Sequence, residues 1–404
     1  MLLAPSLRRI KPSATFALAS RAKALAQDGS GLPVLNLGVG EPDFPPPQEV
    51  QDAAIQAIRD GRCTYTEIPG LLALREGIAR KLYQDQQLSY SPQDIIVGAG
   101  AKQVIFNALV ATLSPGDEVI IPTPVWTSYP DIVLLTGADP VFVPCAQDNQ
   151  FKLTADDLRR VLTPRTKWLI LNAPGNPAGG VYSEDELKAL GQVLLDFPKV
   201  WVLSDDIYEI FVYDKRPFLS LLQVTPGLAD RFLVVNGFSK SHCMTGWRLG
   251  YGAGPRELIQ GMTTLQSQST TCPSIISQIA GMAALSLPDT WKLSLRDRFE
   301  TRRNHAIEAL KRTPELEAES PEGAFYIYLN CRHLLGRKTP SGQILQTDTE
   351  VADYFLTQAR VSLIPGTAFH CSPYVRLAYA ISEEALTQAT HQLASAIALL
   401  KIPG

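Results

Sequence analysis

Short apolar segments alternate with helical segments along most of the chain. Apolar runs predict strands at 94–97, 118–121, 141–144, 167–171, 200–203 and 232–235. Between them, helical periodicity appears at 71–82, an apolar helix is predicted from the turn at 98–100 to about residue 113, and Ser183 with Glu186 forms a capping box for another helix. Strands that alternate with helices favour the α/β class, in which helices cover both faces of a mostly parallel sheet.

The pattern changes near Thr290. A polar helix is predicted at 292–311, followed by short strands at 324–329 and 375–379. This order is typical of a smaller α+β domain after the α/β domain. Three consecutive prolines at 45–47 predict a crossing between domains nearer the N-terminus.

Composition excludes several function classes. The chain has 404 residues and a net charge of −3, so it lacks the basic surface of a nucleic-acid-binding protein. No apolar run approaches the roughly 18 residues that a membrane-spanning helix needs. The six cysteines are scattered without a CxxC pair, which favours free thiols in a reducing compartment and predicts a cytoplasmic protein without a metal site.

The segment at 234–252 carries the first chemical signal. Lys240 lies in a Gly/Ser turn directly after the strand at 232–235, and Arg248 follows in a second Gly-rich turn. A strand that delivers an amine beside a fixed guanidinium suits a lysine that forms a Schiff base next to an anion site. A lone lysine in a loop is more often a solvated surface residue, so the rest of the chain must decide.

Other candidates lie where ligands bind in parallel sheets, beyond the carboxyl ends of the strands. They are Gly100, Ala101, Lys102, Trp126, Asn176, Asp205 and Tyr208. The first three precede or begin a helix, which suits an anion. These three and Asp205 are equally consistent with an ordinary turn or a helix cap, whereas Asn176 is more often a simple turn residue and Trp126 a core residue. Arg376 lies in a short apolar strand, where a buried guanidinium needs an anionic partner.

The joint order of these residues resembles the class I aminotransferases that use pyridoxal 5′-phosphate, and most of all their bacterial aspartate aminotransferase branch. The resemblance extends from residue 11 to residue 380. The matching motifs are KPSAT (11–15), GEPDF (40–44), GAK (100–102), NP (176–177), SDDIY (204–208), SK (239–240), MTGWRLGY (244–251), QSTT (268–271), PEGAFY (321–326) and YVRLAYA (374–380).

The resemblance implies the two-domain fold of pyridoxal-phosphate enzymes of fold type I. Residues 1–46 would form an N-terminal arm that belongs to the small domain, 47–290 the large cofactor-binding domain, and 291–404 the small C-terminal domain. It also implies a homodimer with shared active sites. Residues 1–27 carry five basic and no acidic residues, as transit peptides do, but the match at 11–15 favours a folded arm.

The resemblance assigns roles to individual residues. Lys240, Asp205 and Tyr208 would be catalytic: the amine that binds the cofactor and moves the proton, the partner of the pyridine nitrogen, and a donor to the ring's phenolic oxygen. The cofactor would be bound by Gly100, Ala101, Lys102, Trp126, Asn176, Asp205, Tyr208, Ser239, Lys240 and Arg248, with Tyr65 reaching the phosphate of the neighbouring subunit. Tyr129 would lie near Asp205, and Ser269 or Thr270 could also cross between subunits.

The substrate would be an amino acid, most simply aspartate or glutamate, with a 2-oxo acid as acceptor. The residues implied in binding it are Gly40, Trp126, Asn176, Arg376, Lys102 and Lys11. Arg376 would bind the α-carboxylate and Lys102 the distal carboxylate, with Lys11 contributing from the segment that closes over the site. Prephenate, aromatic or alanine aminotransferases and a C–S lyase remain alternatives, because the motifs around the cofactor would look alike.

A non-catalytic regulator that fuses this fold to a DNA-binding domain is a further alternative. Only ten residues precede the segment at 11–15, which leaves no room for such a domain, and the presence of both Lys240 and Arg376 favours catalysis. Four positions depart from the family pattern. They are Gly175 in the turn before Asn176, Gly237 where many relatives have serine, Cys243 where a small residue is usual, and Ala101 in place of a glycine.

Overall fold

The computed structural model describes residues 2, 4–10, 12, 14–27 and 33–402. The α-helices are α1 (Ala14–Ala26), α2 (Gln48–Arg59), α3 (Leu72–Gln86), α4 (Ala101–Thr112), α5 (Ser128–Thr136), α6 (Ala155–Val161), α7 (Glu184–Leu195), α8 (Leu221–Val224), α9 (Arg256–Ser267), α10 (Ile275–Leu285), α11 (Asp289–Leu310), α12 (Asp348–Tyr354) and α13 (Glu383–Ala398). The strands are β1 (Leu35–Asn36), β2 (Ile95–Gly98), β3 (Glu118–Thr123), β4 (Asp139–Pro144), β5 (Thr166–Leu171), β6 (Trp201–Asp205), β7 (Phe232–Gly237), β8 (Gly250–Ala253), β9 (Tyr326–Asn330), β10 (Val361–Ser362), β11 (Ile364–Pro365) and β12 (Tyr374–Ala378).

The large sheet confirms the predicted α/β class. Within the described residues it has seven strands in the order β2-β8-β7-β6-β5-β3-β4, and all pairs are parallel except those that involve β8. The sequence pattern did not predict β8, because its residues, GYGA, contain two glycines and no apolar run. The reversed strand shortens the connection from β7, which therefore becomes a loop of twelve residues at 238–249 rather than a helical crossover.

The side chains of each buried strand point alternately to the two faces of the sheet, and this explains why the core forms two layers, one on each face. Ile95 and Val97 of β2 pack into a cluster with α2, α3, α7 and α10, whereas Ile96 packs into a second cluster with α4, α5 and α9. Side chains of successive strand residues point to opposite faces, so a strand covered on both sides must be apolar throughout. Every helix in the described part of the chain is too short or too polar to cross a lipid bilayer.

Most predicted elements lie where the pattern placed them, with boundaries that differ by a few residues. The helices α3 and α4 and the capping box of Ser183 and Glu186 are confirmed. The strand predicted at 118–121 is longer in the structure, because β3 continues through Pro122 to Thr123. Its pairing with β5 ends at Ile120, and a strand that is paired on one side only tolerates a residue without an N–H group.

A second, smaller sheet lies in the C-terminal part of the chain. It has the antiparallel order β11-β12-β9, and α11, α12 and α13 supply its core. The N-terminal segment joins this part, because β1 pairs in parallel with β10. This pairing supports the division into 1–46, 47–290 and 291–404, which stays a prediction.

One buried ion pair connects α3 with the turn that follows β6. Lys81 Nζ donates to Glu209 Oε1, and Gln86 Nε2 donates to the other carboxylate oxygen at 2.7 Å. The side chains of Lys81 and Glu209 are only 11% and 7% exposed. Burial opposes the charge of Lys81, but the carboxylates of Glu209 and Asp85 outweigh burial and hold its pKa above the ordinary value.

We expect Lys81→Met to lower the free energy of unfolding by about 3–5 kcal/mol, because it leaves the Glu209 carboxylate buried without its cation. The exposed pair Lys188–Glu184 provides the control, and Lys188→Met should leave the free energy of unfolding almost unchanged. Urea unfolding of the cofactor-free protein measures both changes. Replacing Lys81 and Glu209 together by methionine should restore most of the loss, and equal losses in the two lysine variants would contradict this interpretation.

Candidate active site

A cleft of about 240 Å³ opens at the carboxyl ends of the parallel strands. The residues that line it come from both sheets and from the N-terminal segment. They are Gly40, Glu41, Ala101, Lys102, Ile105, Trp126, Tyr129, Asn172, Asn176, Asp205, Ile207, Tyr208, Ser239, Lys240, Thr245, Arg248, Tyr326 and Arg376. The fold therefore brings together almost all the residues that the sequence analysis selected.

Lys240 enters the cleft from the loop between β7 and β8. Gly237 and Gly250 face each other where this loop begins and ends. A Cβ atom at Gly250 would lie 2.2 Å from the backbone nitrogen of Ala101, so only glycine allows α4 to approach so closely. The loop thus holds Lys240 beside the N-terminus of α4, and Lys240 Nζ donates to the carbonyl oxygen of Gly40 at 2.6 Å.

The surroundings of Lys240 favour its neutral amine. Burial lowers its pKa from 10.5 to about 8. The Glu41 and Asp205 carboxylates oppose this shift, while the guanidinium groups of Arg376 and Arg248 add to it. An amine with a pKa near neutrality can act both as a nucleophile and as a carrier of protons.

Asp205 ends β6 and lies on the floor of the cleft. It is 4% exposed, and burial raises the pKa of its carboxyl to about 6. The Tyr129 hydroxyl donates to its Oδ2 at 2.6 Å, and the backbone N–H of Ile207 donates to Oδ1 at 3.3 Å. The predicted proximity of Tyr129 is confirmed. These bonds and Lys240 oppose the effect of burial, so that the buried carboxylate is ready to pair with a cation.

Arg376 lies in β12 on the opposite wall and is 3% exposed. Its Nη1 donates to Asn176 Oδ1 at 2.7 Å, and its Nη2 donates to the carbonyl oxygen of Gly38. The Nε atom is buried without a hydrogen-bond partner among the described residues. A buried guanidinium that is held only by neutral groups is suited to an anionic ligand.

A second region for an anion lies at the N-terminus of α4. Gly100 precedes the helix with φ of +85°, and a Cβ atom there would lie 2.5 Å from Arg248 Nη2. Arg248 adopts a left-handed backbone conformation, with φ of +53°, and its Nη1 donates to the Thr245 carbonyl at 2.7 Å. The first N–H groups of a helix lack partners within the helix, and the macrodipole adds positive potential there. Ser239 lines the same end of the cleft.

Lys102 and Trp126 form the outer part of the cleft. Lys102 Nζ lies 4.8 Å from the centre of the Trp126 ring. The Lys102 side chain is exposed on one side, and burial of the other side, together with Arg248, lowers the pKa of its amine. The cation is therefore held at the mouth of the cleft by the ring rather than by a carboxylate.

Tyr208 and Tyr326 meet on the wall between Asp205 and Arg376. Their hydroxyl oxygens are 2.7 Å apart, and burial raises the pKa of both phenols. The sequence analysis assigned a role to Tyr208 but none to Tyr326. The signal was the motif PEGAFY at 321–326, whose last residue begins β9 and faces the cleft.

Among the described residues, four predicted contributors do not line this cleft. Gly100 directly precedes the lining residue Ala101. Tyr65 is 87% exposed and lies outside it, as do Ser269 and Thr270. Their proposed roles concern a neighbouring subunit and stay predictions. Lys11 lies outside the described residues. Gly40 contacts Lys240, whereas the carbonyl that holds Arg376 belongs to Gly38.

Comparison with known proteins shows which family this arrangement defines. The family "Aminotransferase class I and II" matches residues 33–393. The chain is 46% identical over 375 residues to the aspartate aminotransferase of Rhizobium meliloti (strain 1021). The aligned region covers 93% of this chain and 92% of that protein. It is 45% identical over 387 residues to the aspartate/prephenate aminotransferase of Cereibacter sphaeroides (strain ATCC 17029), with 96% of each protein covered.

Solved structures agree with the sequence comparison. The crystal structure of the aspartate aminotransferase from Rhizobium meliloti has a TM-score of 0.95 at 44% identity, covering 99% of this chain and 100% of that one. The aspartate aminotransferase from Thermus thermophilus with maleate has a TM-score of 0.90 at 36% identity, covering 98% and 100%. The chain therefore belongs to the class I and II aminotransferases, and its fold is fold type I.

In the cofactor-free protein, we expect Lys240 to react with a small aldehyde with a pH midpoint of about 8. Only a neutral amine is nucleophilic, so at pH 7.5 roughly a quarter of Lys240 is reactive, against roughly 0.1% of an ordinary lysine. Reductive methylation followed by peptide mapping measures the profile, with exposed Lys188 as the internal control, whose pKa its partner Glu184 raises. A midpoint for Lys240 that matched that of Lys188 would contradict the effect of burial.

Proposed function

We propose that this aminotransferase uses pyridoxal 5′-phosphate to move the amino group between aspartate or glutamate and a 2-oxo acid, 2-oxoglutarate or oxaloacetate. The observation that supports this proposal is the placement of three groups in one cleft. A lysine with a lowered pKa, a buried carboxylate and a buried arginine lie on three different walls, at Lys240, Asp205 and Arg376. The transfer would follow a ping-pong course through pyridoxamine phosphate.

The chemistry of the cleft fits this cofactor from end to end. The helix N-terminus at Gly100 and Ala101, with Ser239 and Arg248, would hold the phosphate. The glycine at position 100 leaves the space that a Cβ atom would fill against Arg248. At the opposite end, Asp205 would hold the protonated ring nitrogen. The ring would lie between these two ends, with Trp126 on one side.

The residues at the centre of the cleft account for the proton transfers. When bound, pyridoxal phosphate supplies a carbonyl that condenses with amines and a ring that accepts electrons. Lys240 would take the proton from the substrate α-carbon and return a proton on the cofactor's side, because a pKa of about 8 leaves an appreciable fraction of its amine neutral. Asp205 would pair with the protonated ring nitrogen, and Tyr208 and Asn176 would donate hydrogen bonds to the phenolic oxygen.

Arg376 fixes the orientation of the substrate. Its guanidinium would bind the α-carboxylate as a fork, and each charge-assisted bond is worth about 1.5–3 kcal/mol. Asn176 and the Gly38 carbonyl hold the guanidinium in place before the substrate arrives. A carboxylate fixed in this way presents the Cα–H bond to Lys240, which determines the bond that breaks.

Lys102 supports the choice of a dicarboxylic substrate. Its amine lies at the mouth of the cleft over Trp126, within the same cavity as Arg376. A second cation in the same cavity favours a substrate with a second carboxylate. Relatives with this fold are named aspartate aminotransferases, and one structure contains maleate, which is a dicarboxylate. Lys11 could add a further cation from the N-terminal segment.

Prephenate is the second candidate acceptor. Several relatives at 42–45% identity are named aspartate/prephenate aminotransferases, or probable ones. Prephenate also carries two carboxylates, which Arg376 and Lys102 would accommodate in the same way. Aromatic or alanine transamination and C–S lysis would use the same cofactor contacts, so product analysis separates them from the main proposal.

Assembly and location belong to the same proposal. We infer a homodimer with shared active sites, because Tyr65 is exposed outside the cleft of its own subunit and is free to reach a phosphate in a neighbouring one. The six cysteines are unpaired, which fits a cytoplasmic protein in a reducing compartment.

Single L-amino acids without any 2-oxo acid provide the first test of the proposed function. We expect aspartate and glutamate to convert the visible spectrum of the cofactor-loaded protein to that of the pyridoxamine form, because one half-reaction needs no acceptor. Alanine and phenylalanine should convert it hardly at all. A loaded protein that responded only to neutral amino acids would keep the cofactor and overturn the dicarboxylate specificity.

Lys102→Ala should reduce the preference for aspartate over alanine, expressed as the ratio of kcat/KM values, by about 10- to 150-fold. This factor corresponds to the loss of one charge-assisted bond of about 1.5–3 kcal/mol. Lys102→Arg should retain much of the preference, and Lys188→Ala, which removes a distant exposed lysine, should leave it unchanged. An undiminished preference in Lys102→Ala would remove Lys102 from the substrate site.

A further inference from the structure

The hydroxyl groups of Tyr208 and Tyr326 form a buried pair that no predicted role explains. Tyr208 lies in the turn after β6, and Tyr326 is the first residue of β9, so the pair joins the large sheet to the small one. Their oxygens are 2.7 Å apart, and the rings pack edge to face with centres 5.7 Å apart. Within the described part of the chain, the Tyr326 hydroxyl is the hydrogen-bond partner of Tyr208.

Tyr326 also contacts Arg376 and the backbone of Gly40, which both line the cleft. Its ring centre lies 4.5 Å from the guanidinium carbon of Arg376, which places the cation over the aromatic face. The backbone of Gly40 packs against its hydroxyl so closely that a Cβ atom at Gly40 would lie 2.2 Å from that oxygen. One tyrosine therefore contacts the N-terminal segment, the arginine and the cofactor-facing Tyr208.

We propose that Tyr326 is a positioning residue that directs the proton of the Tyr208 hydroxyl into the cleft. A hydroxyl has one proton to donate and two lone pairs that accept. In a pair of phenols, one must donate and the other accept. When an acceptor lies in the cleft beside Tyr208, both protons are used only if Tyr326 donates to Tyr208 and Tyr208 donates to that acceptor.

This inference rests on the proposed function, which places the phenolic oxygen of pyridoxal phosphate beside Tyr208. A hydroxyl that accepts one hydrogen bond becomes more polarised and therefore donates a stronger hydrogen bond of its own. A hydrogen bond to the charged form of a group favours that form, so the Tyr326–Tyr208 chain stabilises the deprotonated phenolic oxygen. The ring of Tyr326 contributes separately, through its cation–π contact with the Arg376 guanidinium.

Charged groups around the pair act on it from several elements. Arg376 faces both phenols, Asp205 faces Tyr208, and Glu41 faces Tyr326. Burial raises the pKa of both tyrosines, so both remain protonated and able to donate across the working pH range. The variant Tyr326→Phe therefore removes the hydroxyl and leaves these charged groups in place.

Two variants at position 326 separate the hydroxyl from the ring, and a third is the control. Tyr326→Phe removes the hydroxyl alone, and Tyr326→Leu also removes the aromatic face under Arg376. Tyr379→Phe removes the hydroxyl of another fully buried tyrosine in the same core, one that bonds to the Ala324 carbonyl at 3.0 Å and does not line the cleft. The measurements are the pH midpoint of the visible absorption of the protein loaded with pyridoxal phosphate, and its affinity for maleate.

In Tyr326→Phe, we expect the pH midpoint to rise by about 0.5 pH unit, a roughly threefold change in proton affinity, because the deprotonated form loses support. Its affinity for maleate should stay within about twofold of wild type, since the cation–π contact is retained. Tyr326→Leu should shift the midpoint in the same direction and weaken maleate binding by at least about fivefold. Tyr379→Phe should change neither quantity.

An unchanged midpoint in Tyr326→Phe, or an equal shift in Tyr379→Phe, would overturn the positioning role while leaving the proposed function intact. A wild-type protein that formed no visible band with pyridoxal phosphate would overturn both, because Tyr208 would then have no such acceptor. If Tyr326→Leu fails to fold, Tyr326→Phe and Tyr379→Phe still decide the role of the hydroxyl.

Discussion

The arrangement of the cleft depends on the contacts of the buried Arg376 guanidinium. The guanidinium is bonded to Asn176 from the loop after β5, to the Gly38 carbonyl from the N-terminal segment, and it lies over the rings of Tyr326 and Phe369. Three separate parts of the chain therefore meet at one cation. Taking such a charge out of water costs several kcal/mol unless hydrogen bonds replace its hydration. The fold supplies neutral partners to the two Nη atoms and leaves Nε without a partner among the described residues, so the hydration is only partly replaced.

Two opposite pKa shifts give the centre of the cleft its chemical capacity. Burial lowers the pKa of Lys240 to about 8 and raises that of Asp205 to about 6. In water the two values would differ by more than six units, whereas here they lie close to neutrality on either side. An amine and a carboxyl that are both near their titration points can gain or lose a proton at small cost. The shifts need no special residue types, because burial in the same cleft is the largest cause of both pKa shifts.

Much of this architecture could be predicted because it depends on local pattern. Apolar runs and helical periodicity placed the strands and the helices α3 and α4, since a strand buried on both faces must be apolar throughout. The selected residues Lys240, Asp205 and Arg376 were recognised from ordered motifs, and the structure brings them together. The strand β8 was missed because glycine carries no apolar signal. Tyr326 was given no role, because a tyrosine in an apolar strand is indistinguishable from a core residue until its neighbours are known.

The sequence by itself determined the family, the order of strands and helices, and which residue types were available for the chemistry. Only the tertiary structure decided which groups touch. The contact between the Gly40 carbonyl and Lys240 spans two hundred positions, and the pair of Tyr208 and Tyr326 spans more than one hundred. Such contacts depend on how the two sheets pack against each other, and burial, which sets the pKa values and the strength of each hydrogen bond, exists only after that packing has formed.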